Sequence, residues 1–126
     1  MIEGKLTASH LRRVQRAIHS VPFARLLGIQ LEGIGNGVAT LALKVRKELT
    51  QNHGVVHGGA IASLIDTATA FAIISILPAR DKVTTVDLIC HLWPATRGQL
   101  KATARVVRSG RRFLVFPLTF LQATKP

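Results

Sequence analysis

The chain has 126 residues, 48% of them hydrophobic, and a formal net charge of +11. That length carries one domain with a single core and has no room for two. A mean hydropathy of +0.30 puts part of the apolar surface at an interface, while the positive charge favours solubility and attracts anions. The one cysteine, Cys90, excludes an intramolecular disulfide, and the sequence has neither CxxC nor HExxH spacing. The expectation is a cytoplasmic protein with no metal and no organic cofactor.

Residues 1–21 read as an N-terminal helical segment, with Leu11, Val14 and Ile18 on one face and Arg12, Arg13 and Arg16 on another. It lacks the apolar core of a secretory signal and reads as a packed helix with a solvated basic face. Pro22 breaks it. LLGIQLEGIGNGVATLALKV then reads as two strands around Gly35-Asn36-Gly37, because Asn-Gly supplies the positive φ angles of a tight hairpin.

The next segment, HGGAIASLIDTATAFAIISILPA, predicts a buried helix of about 18 residues stopped by Pro78. Between Glu48 and Arg80 its Asp66 is the only formal charge. An unpaired carboxylate in apolar surroundings is costly, and at the centre of a membrane span it would be more so. Asp66, Ser63, Thr67 and Thr69 therefore exclude a transmembrane reading. Gly58 and Gly59 leave the first-turn amides clear, and a helix N-terminus presents unpaired N–H groups suited to an anion or a developing oxyanion. Asp66 follows Gly58 by eight residues, about two turns up the same helix. A donor end and a carboxylate on one rigid element are ingredients of acyl-transfer chemistry.

Three strands in a meander follow: VTTVDLICHLW, GQLKATARVVRS and RRFLVFPLTFLQ, separated by Pro94 to Gly98 and by Ser109-Gly110. In the second, Lys101, Thr103 and Arg105 alternate with Leu100, Ala102, Ala104 and Val106, so one face meets a core and the other meets water. A sheet with one dry face needs a cover, and the Asp66 helix is the long apolar helix available. The fold class is thus α+β, a curved antiparallel sheet wrapped on one central helix.

This order, with NHGVVHGG opening the helix and Asp66 spaced behind it, resembles the hotdog-fold acyl-CoA thioesterases of the phenylacetate-pathway type. The resemblance runs from PFARLLGI through TVDLICHLWPA to GQLKATARVVRSGRR. It implies a single hotdog domain over residues 1–126 that hydrolyses a thioester to an acid and a free thiol. Gly58 would donate its backbone N–H to the thioester carbonyl. Asp66 would act as nucleophile or general base, contributed across a homodimer or homotetramer interface. Gln51 matches a position that helps place water or substrate, and Thr85 matches an assisting Ser/Thr position. His57 belongs to the motif, either as a structural hydrogen-bonding group near the helix start or as a direct participant. Relatives of this type continue past the Phe113 to Gln122 strand, so the last strand is expected to be shortened, and Pro117 interrupts it.

From Arg97 onward every charged residue is basic. In a chain that binds acyl-CoA, Arg108, Arg111 and Arg112 are candidates for the phosphates of the nucleotide end. His53, Cys90 and His91 read as structural, since adjacent strand residues point to opposite faces. Two rivals remain: a non-catalytic hotdog protein that binds acyl-CoA or a partner, and a small basic nucleic-acid-binding protein. The second lacks stacking aromatics beside its charge. Neither nucleic acid nor membrane is an expected partner.

Overall fold

Thr7 opens the first helix, α1 (Ala8–Ser20), by accepting the His10 N–H on its hydroxyl at 3.1 Å, which satisfies one of the orphan donors of the first turn. This computed structural model describes residues 7–78, 80–85, 98–109, 114–115 and 118–122. Val14 and Ile18 are buried while Arg12 and Arg16 face solvent, as the periodicity requires. Arg13 donates to the carbonyl of Leu77 at 3.3 Å and so ties α1 to the chain beyond the central helix.

Pro22 does more than break α1. It occupies the first turn of a second short helix, α2 (Pro22–Leu27), where its fixed φ suits the helix and its missing N–H costs nothing. Leu26 and Leu27, expected at the start of a strand, form the last turn of α2 instead. The helix ends at Gly28, whose N–H bonds the carbonyls of Ala24 and Arg25, and the first strand begins only at Gln30.

Strands β1 (Gln30–Gly35) and β2 (Val38–Lys44) form the expected antiparallel hairpin. Its turn glycine, Gly37, has φ +77°, and a Cβ there would stand 3.3 Å from Val106 Cβ, so both conformation and space call for glycine. A bulge sits between Leu31 and Gly33. The carboxylate of Glu32, at that bulge, lies 2.8 Å from Lys101 Nζ of β3 (Gln99–Arg105).

β2 pairs with β3 in register, placing Ala39, Leu41 and Leu43 opposite Ala104, Ala102 and Leu100. All six are buried. On the other face Thr40 and Thr103 share a hydroxyl contact of 2.9 Å. Of the expected last strand, the described residues form β5 (Leu114–Val115), which pairs with β4 (Arg108–Ser109), and β6 (Leu118–Gln122), which pairs with β3. Among the described residues the main sheet has four strands in the order β1-β2-β3-β6. Of the predicted VTTVDLICHLW strand, residues 83–85 are not in a strand and residues 86–93 lie outside the described residues.

The central helix, α3 (Gly58–Ile74), has 17 residues and packs on β2 and β3. Its inward face carries Ala60, Ile61, Leu64, Ile65, Ala68, Phe71 and Ala72, all buried. Alanines on this face and at Ala39, Ala102 and Ala104 of the sheet let helix and strands approach closely, while Leu41, Leu43, Leu64 and Leu100 fill the remaining volume. α3 ends ahead of Pro78, with the buried Ser75 as its C-cap. Its hydroxyl lies 2.7 Å from the Ala72 carbonyl, 3.1 Å from that of Gly35, and accepts the Gly37 N–H at 2.8 Å. One buried hydroxyl thus joins the end of the helix to the β1–β2 turn. Among the described residues no helix is long and apolar enough to cross a membrane.

Candidate active site

The approach to α3 is a narrow loop closed by backbone pairs. His57 N–H donates to Leu49 O at 2.8 Å, Gln51 N–H donates to Val55 O at 2.8 Å, and Thr50 and Val56 form an isolated bridge. Gln51 and His57 therefore sit on the two arms of one loop, both exposed. His53 is exposed at the tip.

At the start of α3 the first-turn donors are divided. Ala60 N–H goes to His57 O at 2.9 Å, and Gly59 N–H goes to His57 Nδ1 at 2.8 Å. Gly58 N–H meets no acceptor among the described residues. It is a free donor at the positive end of the helix dipole.

Asp66 lies on the face of α3 turned away from the sheet, half-buried among Ala62, Ser63, Thr67 and Ala70. It is not solitary. Thr85 Oγ1 donates to Asp66 Oδ1 at 2.6 Å, across 19 residues of chain. A short hydroxyl-to-carboxylate bond of this kind is charge-assisted and fixes the carboxylate rotamer. Around it, Ser63, Thr67 and Thr69 turn their hydroxyls back to the carbonyls of Gly59, Ser63 and Ile65, at 2.7, 2.7 and 2.9 Å. The outer face is thereby made of small residues whose polar atoms are already satisfied.

The structure brings Thr85 to Asp66, and His57 to Gly59, but it separates Gly58 from Asp66. Eight residues at 1.5 Å each is about 12 Å along the helix axis. Arg108 opens β4; Arg111, Arg112, Cys90 and His91 lie outside the described residues. Among the described residues no group of three or more His, Cys, Asp or Glu side chains could hold a metal ion. The bond from Gly59 to the His57 ring is of the kind the structural reading of His57 allowed, although histidine is not among the favoured capping residues and the sequence did not name the amide it takes.

An antiparallel sheet backed by one long helix, with an HGG entry and a carboxylate on its far face, defines a hotdog-fold domain of thioesterase type. The thioesterase superfamily pattern matches residues 53–124, and the chain belongs to that superfamily. It is 34% identical over 97 residues to the acyl-coenzyme A thioesterase PaaI of Escherichia coli, covering 75% of this chain and 67% of that protein. The solved structure of E. coli PaaI, from the phenylacetic acid degradation operon, superposes with a TM-score of 0.73 at 28% identity, covering 92% of this chain and 83% of the other. The conserved protein PA5202 of Pseudomonas aeruginosa matches with a TM-score of 0.79 at 30% identity, over 87% and 89% of the two chains. Two archaeal relatives, from Saccharolobus solfataricus and Halobacterium salinarum, are 29% and 44% identical, and the matches span 62% and 59% of their lengths.

Proposed function

We propose that the chain is an acyl-CoA thioesterase, hydrolysing a thioester to a carboxylic acid and free coenzyme A without metal or organic cofactor, in the cytoplasm. The observation that carries the proposal is the arrangement of α3: a free Gly58 N–H at its start and, two turns on, an Asp66 carboxylate held by Thr85. Gly58 N–H donates to the thioester oxygen as negative charge grows on it, a preorganised donor that needs no rearrangement in the transition state. Asp66 attacks the carbonyl carbon as nucleophile, or takes the proton of an attacking water as general base. In either route the C–S bond breaks, the thiolate leaves and is protonated, and one water is consumed.

The separation of about 12 Å between Gly58 and Asp66 along the helix supports a site in which the donor and the carboxylate acting on one substrate come from different copies. The outer face of α3, with Ala62 and Ala70 half-buried and its hydroxyls satisfied internally, suits cover by a second copy. A homodimer, or a homotetramer built from it, completes the site. Gln51, on the loop arm facing His57, places water or substrate, and Arg108, Arg111 and Arg112 hold the coenzyme A phosphates. The identity to PaaI and to the medium/long-chain acyl-CoA thioesterase YigI of E. coli, 27% over 114 residues, supports the substrate class.

The test is release of thiol from a panel of acyl-CoAs of different chain length and aromatic character. Steady hydrolysis of at least one, abolished in Asp66→Asn, is the expected result. Binding of acyl-CoA with no thiol released from any of them would replace the proposal with a non-catalytic binding protein.

A further inference from the structure

His57 does two things to the start of α3 that the proposed chemistry needs. Its Nδ1 accepts the Gly59 N–H at 2.8 Å, so Nδ1 carries no proton and, in the neutral ring, Nε2 does. The ring also lies over Gly59. A Cβ at Gly59 would stand 2.9 Å from His57 Nδ1 and 3.2 Å from Cε1, with no other atom nearer. Gly59 does not have a positive φ, so the imidazole, not backbone conformation, is what calls for glycine there.

Resting on the thioesterase reading, we infer that His57 is a positioning residue, not a proton carrier. It takes up the Gly59 amide and fixes the first turn so that Gly58 N–H alone points free for the thioester oxygen. Nδ1 is engaged in the cap and is not available as a base without breaking it. A neutral imidazole suits the position better than the commoner caps would suggest. Aspartate would cap the same amide but would set a full negative charge beside the oxygen on which negative charge develops, opposing the helix dipole and Gly58.

Four variants of the full chain separate the possibilities, each assayed for acyl-CoA hydrolysis and for thermal stability. His57→Ala should lower kcat about 10- to 100-fold with KM changed less than threefold, the range that small misplacements of a reacting geometry produce. His57→Asn supplies a capping oxygen but cannot carry a proton, and should recover kcat to within about fivefold of wild type. His57→Asp should recover stability while kcat stays low. Gly59→Ala should slow the wild type but add nothing to His57→Ala, since the clash needs the ring; this is coupling in a double-mutant cycle.

Folded His57→Asn with turnover as poor as His57→Ala overturns the inference and makes the imidazole a proton carrier. Additive losses in the Gly59 cycle overturn it as well. If the wild type hydrolyses no acyl-CoA, the thioesterase reading fails separately. Amide exchange at Gly59 then still decides the cap: faster in His57→Ala and restored in His57→Asn if the cap exists, unchanged in His57→Ala if it does not. Should His57→Ala not fold, His57→Asn and His57→Asp against wild type carry the same comparison.

Discussion

Replacing Asp66 by asparagine is the sharpest perturbation of the proposed site, because the structure separates what it removes from what it keeps. Asparagine is nearly the same size, and its Oδ1 can still accept the Thr85 hydroxyl that now lies 2.6 Å from Asp66 Oδ1. The half-buried position loses a charge and gains no cavity, so folding should hold within about 0.5 kcal/mol, as for substitutions that disturb no packing. What disappears is the basic, nucleophilic carboxylate. Positioned acid–base groups contribute about 10²–10⁴-fold, and kcat should fall by that factor. KM should stay within about threefold, since the phosphates and acyl chain are bound elsewhere. Thr85→Val is the companion variant. It leaves the carboxylate but frees its rotamer, so kcat should fall about tenfold, the low end of the roughly 1.5–3 kcal/mol of one net hydrogen bond to a charged group, as suits the exposed Thr85. Thr85→Ser should restore it. The assay is continuous thiol release from the best acyl-CoA, with a thermal melt on each variant. Wild-type turnover in folded Asp66→Asn refutes the assignment of Asp66, and a Thr85→Val loss equal to that of Asp66→Asn refutes the subordinate role of Thr85.

Other consequences follow from the same geometry. Ala70→Arg places a large cation beside Asp66 at a half-buried position of α3; sedimentation should show the assembly reduced to monomer with activity lost, and an intact, active assembly would place the interface elsewhere. Replacing Arg108, Arg111 and Arg112 together by glutamine should raise KM for acyl-CoA several-fold, with a loss that shrinks in high salt, while leaving a truncated acyl-N-acetylcysteamine thioester unaffected. Equal losses on both substrates would make that segment structural. Ser75→Ala leaves the buried Gly37 N–H without its 2.8 Å acceptor and should cost about 1–3 kcal/mol in a denaturant melt, whereas turnover of the folded fraction should be unchanged.

Much of the architecture was legible from local pattern. The period-2 alternation of Leu100, Ala102 and Ala104 against Lys101, Thr103 and Arg105 matches the observed burial of β3, and HGG marked the first residues of α3. The exceptions were local as well. Pro22 was read as a stop when its position after Val21 made it equally a start, and Leu26-Leu27 carried no periodicity long enough to separate helix from strand. The length of α3 came out close to the reading, 17 residues against about 18, but the Ser75 hydroxyl bonds that fasten its end reach Gly35 and Gly37, 40 and 38 residues away, which no local pattern shows.

For the site, the sequence by itself determined which groups share the helix and how far apart they lie, since helical rise converts eight residues into a length without further information. It also marked Asp66 as a charge needing a partner. Only the tertiary structure decided that the partner is Thr85, that the His57 ring rather than solvent takes the Gly59 amide, and that Asp66 faces away from the sheet. The physical reason is the same in each case. Hydrogen bonds act over about 3 Å in space, and chain order says nothing of which atoms come within that reach once strands and helix have packed.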